Sequence, residues 1–400
     1  MNLKSGMPLW LIKDGLPHTF PKLDKNIETD VLILGAGISG ALVRYYLLKA
    51  GVDCTTIDAR TIGLGSTSAS TSLLQYEIDT PLHKLIDMVG KKNAERAYQL
   101  CGEAILTLKE IAKDLEIKDF CLRKSLFFAA YKKDVSMLEK EFKARKEAGF
   151  DVEFLTEKDI EKQFNIKAPA AILSSLAAET NAYAFSHKLL QYNGESKHAN
   201  IFDRSPVVDI KTKHSGIDAK TENGFTIKAK KIVYATGYEV VDFIDKKVVD
   251  LLSTYAVVSE QFNERKFWKD DVLIWNTADP YLYLRTTPDN RILIGGRDED
   301  FQNPKKRDAL LEKKAEGLVN DFKKLFPDIP FKKEFSWTGT FGATKDGLPY
   351  IGSYKPLPNS YFALGFGGNG ITFSTIAAEM IRNEILGKSN PDAPLFSFER

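Results

Sequence analysis

The residues of this sequence with the clearest capacity for chemistry are three glycines, Gly35, Gly37 and Gly40, spaced G-x-G-x-x-G. They follow an unbroken apolar run, Val31 to Leu34, which is typical of a strand buried on both faces. The first glycine permits a tight turn and the second lacks the Cβ that would keep a pyrophosphate from the backbone. The third lets the next helix pack closely on the strand. The spacing therefore predicts a phosphate-binding turn.

The residues after these glycines complete a dinucleotide-binding pattern. A helix is predicted from Ala41 to Ala50 with Gly51 just past its end, and its N-terminal N–H groups would face the phosphates. A second strand, Cys54 to Ile57, ends in Asp58, where the fingerprint requires an acid to bind the ribose hydroxyls. We therefore predict a bound dinucleotide rather than a purely structural turn.

Composition limits the class of protein. The 400 residues are 43% hydrophobic and 28% charged, which predicts a soluble globular protein of two domains. Lys and Arg total 56 against 54 Asp and Glu, so no nucleic-acid footprint is indicated. No apolar stretch is long enough to span a bilayer, and the three cysteines lack metal-ligand spacing, which favours a cytoplasmic protein with reduced thiols. The five histidines are too dispersed to predict a metal site.

Two kinds of pattern alternate along the rest of the chain. Residues 1–29 carry three prolines and predict an extended arm on the protein surface. Amphipathic helices and one strand between residues 81 and 179 show no cofactor chemistry and predict part of a second, lid-like domain. A hairpin is predicted at 217–229, with a type I′ turn at Asn223-Gly224.

Two further glycine-containing turns follow predicted strands. Ala235-Thr236-Gly237 ends a buried strand, and ligands in doubly wound folds lie at such turns. The turn Gly365 to Gly370 leads into a predicted helix, Ile371 to Leu386, and so repeats the opening arrangement of strand, glycine turn and helix. A second such helix start predicts a second electron-rich group bound there.

Residues 250–300 read as several strands, one of which has an unusual face. Alternation puts Tyr281, Tyr283 and Arg285 on one side of this strand and two leucines on the other. The leucine side is core. The other side could hold a small organic ion or could face solvent, and the pattern leaves both open.

Together these motifs resemble the D-amino-acid oxidase family of FAD enzymes, which includes glycine oxidase, monomeric sarcosine oxidase and gamma-glutamylputrescine oxidase. They occur in family order at Asp30–Gly40, Gly65–Ser70, Ala235–Gly237, Ile294–Glu299, Thr344–Gly352 and Leu364–Thr372. The resemblance implies an α/β fold in which a Rossmann-like FAD-binding domain is interleaved with an α+β substrate domain built on an antiparallel sheet. We assign residues 1–80, 180–248 and 336–400 to the FAD domain, and residues 81–179 and 249–335 to the substrate domain.

The resemblance also implies a non-covalent FAD. Its pyrophosphate is expected at Gly35–Gly40, its ribose at Asp58 and its isoalloxazine near Gly65–Ser70, while the turn before Ile371 would face the flavin's pyrimidine oxygen. The full set of expected FAD contacts is Gly35, Gly37, Ile38, Ser39, Gly40, Asp58, Ala59, Arg60, Gly65, Ser66, Thr67, Ser68, Val207, Val208, Ala235, Thr236, Gly237, Phe366, Gly367, Gly368, Asn369, Gly370, Ile371 and Thr372.

Two departures from the family pattern concern the substrate and the flavin link. The Gly-x-Arg-Pro element that holds a substrate carboxylate in the family corresponds here to Gly339-Thr340-Phe341-Gly342, so Phe341 replaces the arginine. Monomeric sarcosine oxidase attaches its flavin through a cysteine in this stretch, and the nearest position here is Gly339. A covalent flavin at that position is therefore excluded.

A further sequence feature favours an amine substrate. The loop from Thr61 to Leu82 contains no Lys, Arg or His but carries Glu77 and Asp79, which would attract an amine and repel a carboxylate. We expect a primary or secondary amine, not a simple α-amino acid, to be oxidised by hydride transfer to the flavin, with oxygen as acceptor. Candidate walls of the substrate cage are Tyr281, Tyr283 and Phe341.

Roles for two basic residues, and two other functions, stay open. Arg285 could anchor a remote acid group or pair with a neighbouring acid, and Lys345 could promote oxygen reduction or lie on the surface. One alternative function is a dehydrogenase of a hydroxy acid that passes electrons to a quinone or carrier protein. The other is a flavoprotein that has lost turnover and serves as a binding module. The sequence leaves the substrate and the oligomeric state undetermined.

Overall fold

The computed structural model describes residues 2–194, 200–244, 246–265, 267–364 and 367–400. The strands in these ranges are β1 Lys4–Gly6, β2 Ile27–Leu34, β3 Cys54–Ile57, β4 Leu73–Gln75, β5 Cys121–Phe128, β6 Val152–Thr156, β7 Ala170–Glu179, β8 Asn200–Phe202, β9 Val207–Lys213, β10 Gly216–Thr221, β11 Thr226–Tyr234, β12 Asp250–Ser259, β13 Leu273–Asn276, β14 Tyr283–Thr286, β15 Ile292–Asp300, β16 Lys333–Ala343, β17 Tyr350–Tyr354 and β18 Leu357–Leu364. The α-helices are α1 Leu9–Asp14, α2 Ile38–Lys49, α3 Leu82–Val89, α4 Lys91–Asp114, α5 Val135–Glu147, α6 Glu157–Phe164, α7 Ala182–Gln191, α8 Pro304–Ala309, α9 Leu311–Leu325 and α10 Gly370–Ile385.

One sheet has a parallel centre, in the order β18, β11, β2, β3, β8. An antiparallel strand, β17, flanks β18, and the β9–β10 hairpin extends from β11. The apolar run predicted as a doubly buried strand contributes to two cores, because Val31 and Ile33 pack with α2 and α10 while Leu32 and Leu34 pack in a separate cluster with β11 and β18. This sheet delivers its strand ends to the glycine turns.

The second sheet runs β1, β16, β12, β15, β14, β13, β5, β7, β4, with β6 against β7. All of its pairings are antiparallel except that of β13 with β5. Helix α9 packs on one face of this sheet through Ala315, Leu318 and Phe322, all wholly buried. The α/β class and the combination of a Rossmann-like sheet with an antiparallel one are as expected from the sequence.

The N-terminal segment is not the surface arm that its prolines suggested. Lys4 pairs with Gly339, so β1 is an edge strand of the second sheet. Trp10 in α1 is wholly buried, and its indole N–H donates to the Ser70 carbonyl at 2.7 Å. Strands β4 and β16 also belong to this sheet, although we had assigned residues 73–75 and 336–343 to the FAD domain. Strands β1 and β4 have three residues each, which is too few to show a periodicity that could be recognised from sequence.

Two local predictions can be compared with the backbone directly. The sequence Thr156-Glu157-Lys158-Asp159 predicts a capping box with Asp in place of the usual Glu, and helix α6 begins with one, in which Thr156 and Asp159 bond each other's backbone N–H. The hairpin at Asn223-Gly224 forms, but with a three-residue loop, because Thr221 pairs with Phe225 and Gly224 alone of the pair has a positive φ, +88°. A type I′ turn would require positive φ at both residues, so that prediction is wrong.

Two further features of the described ranges concern membranes and metals. None of the helices found there combines the length and apolar character that a bilayer crossing requires. Nor do three or more His, Cys, Asp or Glu side chains converge in those ranges in a way that could hold a metal ion.

Candidate active site

A cavity of about 420 Å³ lies where the ends of the parallel strands meet the second sheet. Its walls come from the turns after β2, β3 and β11, the N-termini of α2 and α10, and residues of β12, β14, β15 and β16. The residues expected to contact FAD that line it are Gly35, Gly37, Ile38, Ser39, Asp58, Ala59, Arg60, Gly65, Ser66, Thr67, Val207, Ala235, Thr236, Gly237, Gly367, Gly368, Gly370 and Ile371. Segments distant in sequence thus converge on one cavity.

The three fingerprint glycines have different neighbours. A Cβ on Gly35, whose φ is +104°, would lie 2.4 Å from the Ala235 carbonyl oxygen, and one on Gly40 would lie 1.9 Å from the Gly35 carbonyl oxygen. Both contacts are with backbone, which cannot move aside cheaply. A Cβ on Gly37 would lie 2.8 Å from the Thr67 hydroxyl, within the cavity. Gly35 and Gly40 therefore permit the packing of α2 on the sheet, whereas Gly37 keeps the cavity open.

Asp58, at the end of β3, is held by backbone donors. Its two carboxylate oxygens accept the N–H groups of Ala36 and Arg60, each at 2.8 Å. Burial raises its pKa, although both hydrogen bonds lower it. A carboxylate has about four acceptor sites, so this one can still accept hydroxyl donors from the cavity that it lines.

Next to Asp58, the Arg60 guanidinium binds both carboxylate oxygens of Glu239 at 2.5 Å. Both residues line the cavity. Arg60 is the one basic residue among the described lining residues, and Glu239 opposes its charge. This end of the cavity is therefore polar with little net charge.

Two buried hydroxyls at this end have no hydrogen-bond partner among the described residues. They are Ser66 Oγ, in the 3-10 turn Ser66–Ala69, and Thr236 Oγ1, in the Ala-Thr-Gly turn. Both line the cavity. Buried hydroxyls are nearly always satisfied in folded proteins, so two orphans on one cavity indicate a polar ligand.

The turn before α10 is held by hydrogen bonds to neighbouring segments. The Gly367 N–H donates to the Gly342 carbonyl and the Gly368 N–H to Asp79 Oδ2, both at 2.8 Å. The Asn369 side-chain amide donates to the carbonyls of Gln75 and Glu77. These bonds fix the start of α10, whose first N–H groups have no partner within the helix and lie at the cavity, where Gly370 and Ile371 form the wall.

The other end of the cavity is acidic and aromatic. Tyr281 and Tyr283 line it with ring centroids 5.9 Å apart, and the Tyr281 hydroxyl donates to Asp79 Oδ1 at 3.3 Å. Asp298 on β15 also lines it. Burial raises the pKa of Asp79 above its ordinary value, although part of the residue is exposed to solvent. Burial raises the pKa of Asp298 to about 7, against a hydrogen bond from Thr254, and the Asp79 charge adds to the increase.

A bulge in β15 determines which side chain reaches this end. Tyr255 pairs with Gly296 and Ser253 with Glu299, so the single residue Thr254 opposes both Arg297 and Asp298. Arg297 has a φ of +58°, and its guanidinium points to Asp321 on α9 at 2.7 Å. The bulge thus turns the arginine away and brings the aspartate to the cavity.

Comparison with known proteins agrees with this geometry. The family model described as FAD dependent oxidoreductase, DAO, matches residues 30–383. The chain belongs to the DAO family of FAD-dependent oxidoreductases. It is 23% identical to glycine oxidase of Bacillus subtilis over 90% of this chain and 93% of that protein. It is 21% identical to gamma-glutamylputrescine oxidoreductase of Escherichia coli, over 92% of this chain and 86% of that protein. The crystal structure of glycine oxidase from Geobacillus kaustophilus superposes with a TM-score of 0.76 at 20% identity, covering 93% of this chain and 99% of that one.

Membership in the DAO family makes FAD the cofactor, and the cavity of this chain fits it. The open turn at Gly37 and the N-terminus of α2 suit a pyrophosphate, Asp58 suits ribose hydroxyls, and the N-terminus of α10 suits an electron-poor ring that gains charge on reduction. The orphan hydroxyls of Ser66 and Thr236 add hydrogen-bonding capacity between these points. The contacts of individual residues with FAD stay predictions.

Several of the residues expected to contact FAD lie behind the cavity wall rather than on it. Ser68 is buried and its hydroxyl bonds the Gly65 carbonyl at 3.1 Å, and Thr372 is buried and bonds the Asn369 carbonyl. Gly40 acts through packing, as described above. Val208 is 62% exposed on β9 and does not line the cavity, because its neighbour Val207 points inward instead. Phe366 lies outside the described residues.

Arg285 does not reach the cavity. It is wholly buried, and its guanidinium donates to the carbonyls of Thr71, Ser72 and Thr180 at 2.8 to 3.1 Å, while Nε lies 3.4 Å from Glu179. Strand alternation predicted its side of β14 correctly, but the loop after residue 70 covers it. Of the two alternatives, pairing with a neighbouring acid is the one observed. Lys345 is exposed and does not line the cavity, which agrees with the surface alternative.

Neither acid of the loop from Thr61 to Leu82, which was expected to attract an amine, lines the cavity, but Asp79 bonds Tyr281 and Gly368, which do. Glu77 is buried, accepts from Ser174 Oγ at 2.9 Å and pairs with the Arg145 guanidinium at 3.2 Å. Residues lining the cavity that sequence reasoning missed include Tyr238, Glu239, Phe243, Thr254, Tyr255, Ala256, Asp298 and Trp337. Asp298 lies in the recognised Ile294–Glu299 motif, which was the one available signal for it.

Proposed function

We propose that this protein oxidises an amine at the carbon next to nitrogen, using FAD as the hydride acceptor. The observation that supports the proposal most strongly is the acidic end of the cavity. Asp298 lies there with two tyrosines, one of which donates a hydrogen bond to Asp79, and the described lining residues supply no Lys, Arg or His to that end. A cation gains from such surroundings, and an anion loses.

The substitution at Phe341 supports the same substrate class. Phe341 lines the cavity, at the position where the family resemblance expects an arginine that holds a substrate carboxylate. An arginine would bind a carboxylate through two parallel hydrogen bonds, and a phenyl ring offers none. Glycine oxidase and gamma-glutamylputrescine oxidoreductase are both similar to this chain, and the second is named for an amine.

Each wall of the acidic end has a role in this chemistry. FAD, when bound, supplies the acceptor for the hydride. The protein's own groups orient the amine, since the carboxylates attract its nitrogen and the rings of Tyr281, Tyr283 and Phe341 confine its carbon chain. The same rings exclude water, which strengthens the electrostatic attraction between amine and carboxylate.

The test is anaerobic mixing of the purified, FAD-loaded protein with single compounds while the yellow flavin absorbance is followed. The compounds are primary and secondary alkylamines, glycine, D-alanine and a set of 2-hydroxy acids. We expect amines to bleach the flavin and the amino acids to do so far more slowly. Bleaching by glycine or D-alanine but not by amines would overturn the proposal, and bleaching by hydroxy acids alone would favour the dehydrogenase alternative.

A matched pair of variants sharpens this test. Phe341→Arg adds the missing cation to the cavity and should shift the preference toward compounds with a carboxylate, while Phe341→Leu changes only the size of the apolar wall. If both variants change the amine rate equally and neither gains amino-acid oxidation, then residue 341 does not control substrate charge. Peroxide measured in air during turnover identifies oxygen as the acceptor, and its absence points to a carrier.

A further inference from the structure

We propose that Asp298 is the residue that accepts the proton from the ammonium form of the substrate. The inference rests on the proposed amine oxidation and assigns one of its steps to a named group. An alkylamine is an ammonium ion near neutral pH, and an ammonium nitrogen has no lone pair to assist loss of a hydride from the adjacent carbon. A proton must therefore leave the nitrogen in the cavity before oxidation.

The step is balanced without any further reactant. One N–H bond of the ammonium breaks and one O–H bond forms on the Asp298 carboxylate, which gives a neutral amine and a neutral carboxylic acid. Nothing is oxidised or reduced in this step. The proton passes to water after the product has left.

Hydrogen bonding distinguishes Asp298 from Asp79. Each Asp79 oxygen already accepts a bond, one from the Gly368 N–H and one from the Tyr281 hydroxyl. Asp298 Oδ1 is buried and has no partner among the described residues, while Thr254 hydrogen-bonds this side chain. Asp298 lines the cavity and keeps one oxygen without a donor, so it has more acceptor sites left for a substrate N–H than Asp79 has. Asp79 then acts as a fixed negative charge that holds the cation.

The charged groups around Asp298 favour a proton acceptor suited to neutral pH. The titratable groups that interact with it are Asp79, Asp279, Lys314, Tyr255, Tyr281 and Tyr283. Lys314 is engaged by Glu299 and by the Arg297 carbonyl, so its charge is partly offset. Burial, above all, and the nearby carboxylates bring the pKa of Asp298 to about 7. A base works best when its pKa lies near the working pH.

The two tyrosines are poor alternatives for this role. Burial raises the pKa of Tyr283 to about 12 and that of Tyr281 well above its ordinary value. Both remain protonated near neutral pH, so neither can take a proton from the ammonium. They serve as walls and as hydrogen-bond donors, as the Tyr281 bond to Asp79 illustrates.

The first experiment measures proton release without turnover. Tert-butylamine carries no hydrogen on the carbon next to nitrogen, so the protein can bind it but cannot oxidise it. Binding by calorimetry in buffers of different ionisation enthalpy gives the number of protons released. At pH 6 an acid of pKa about 7 is about nine-tenths protonated, so a bound cation should expel close to one proton from it.

Asp298→Asn should lose most of that release at pH 6, because it has no proton to expel. Asp300→Asn is the matched control, since it makes the same change on the same strand at an exposed position and should leave the release unchanged. Equal release by wild type and Asp298→Asn would overturn the proposal. FAD content and thermal midpoint verify that each variant is folded, and Asp298→Glu should restore part of the release.

The second experiment follows the rate of anaerobic flavin bleaching by an oxidisable amine against pH. In the wild type we expect a rising limb centred near pH 7. In Asp298→Asn that limb should be absent, and the rate at pH 7 should fall by about 100-fold or more, the usual contribution of a general base. An unchanged profile in Asp298→Asn would refute the role of Asp298 while amine oxidation stands. Failure of every amine to bleach the wild type would instead refute the proposed function, and the proton-release experiment would still decide whether Asp298 receives a cation.

Discussion

Replacing Arg285 by Met tests whether this arginine is structural or holds substrate. Its guanidinium is wholly buried, pairs with Glu179 and supplies hydrogen bonds to the carbonyls of Thr71, Ser72 and Thr180. These bonds join the loop at the cavity wall to the end of β7. Loss of one member of a buried ion pair costs about 3–5 kcal/mol.

The lower end of that range applies here. Glu179 keeps a second partner in Arg123, at 2.8 Å, so Arg285→Met does not leave its carboxylate alone. We expect the free energy of unfolding to fall by about 3 kcal/mol, roughly a hundredfold in the equilibrium constant. The free energy of unfolding of Arg285→Lys should lie between that of Arg285→Met and that of the wild type, because one ammonium cannot reproduce the fork of N–H groups that contacts several carbonyls.

Urea unfolding followed by tryptophan fluorescence provides the measurement, with FAD at a fixed saturating concentration. Lys345→Met is the control, since it removes a positive charge from an exposed position away from the cavity and should leave the unfolding curve unchanged. The structural assignment is wrong if Arg285→Met unfolds like the wild type but raises KM for the substrate tenfold. That pair of results would mean that the guanidinium binds substrate rather than the protein.

Three further predictions concern the glycines and the cavity acids. Gly37→Ala should fold but bind FAD far more weakly, because the new Cβ enters the cavity beside Thr67; FAD content after gel filtration measures this. On β16, Gly339→Ala should be tolerated because its Cβ would lie 3.7 Å from the nearest atom, whereas the Cβ of Gly342→Ala would lie 2.2 Å from a side-chain carbon. The thermal midpoint of Gly342→Ala should therefore be lower than that of Gly339→Ala, and equal midpoints would contradict the packing. For Asp298 the folded pKa of about 7 exceeds the ordinary value of 3.8, so its stabilisation is present at acid pH and is lost as pH rises through 7. The thermal midpoint of the FAD-free protein should therefore fall between about pH 4 and pH 7, and by less in Asp298→Asn.

The dinucleotide half of the site was predictable because its signals are local. A strand, three glycines, a helix start and a terminal acid lie within about thirty residues, and each is required by backbone geometry at that point. The same holds for the Ala-Thr-Gly turn and for the start of α10. The substrate end of the cavity depends instead on pairing between strands that are far apart in sequence. Nothing in the N-terminal residues indicates that Lys4 pairs with Gly339, which makes β1 a strand rather than an arm.

The clearest case is the bulge at Arg297. Tyr283 pairs with Gly295, and a Cβ on Gly295 would collide with the Tyr283 ring, so this glycine lies on the cavity side of β15. Strict alternation from Gly295 would place Arg297 on the same side and Asp298 in the core behind it. The extra residue of the bulge reverses this order, and Asp321 on α9 receives the arginine.

The sign of the charge at the substrate end therefore depends on one backbone irregularity. With regular pairing, Arg297 would present a cation to the cavity and would suit a carboxylate. With the bulge, Asp298 presents an acid and suits an amine. Arg297 adopts a φ of +58°, a conformation that residues with a side chain rarely adopt. The surrounding structure must therefore stabilise the bulge. Two contacts do so, the ion pair of Arg297 with Asp321 and the bond from Lys314 to the Arg297 carbonyl. Under the proposed function, helix α9 contributes to substrate selection by holding this bulge in place, although it is distant from the glycine turns in sequence.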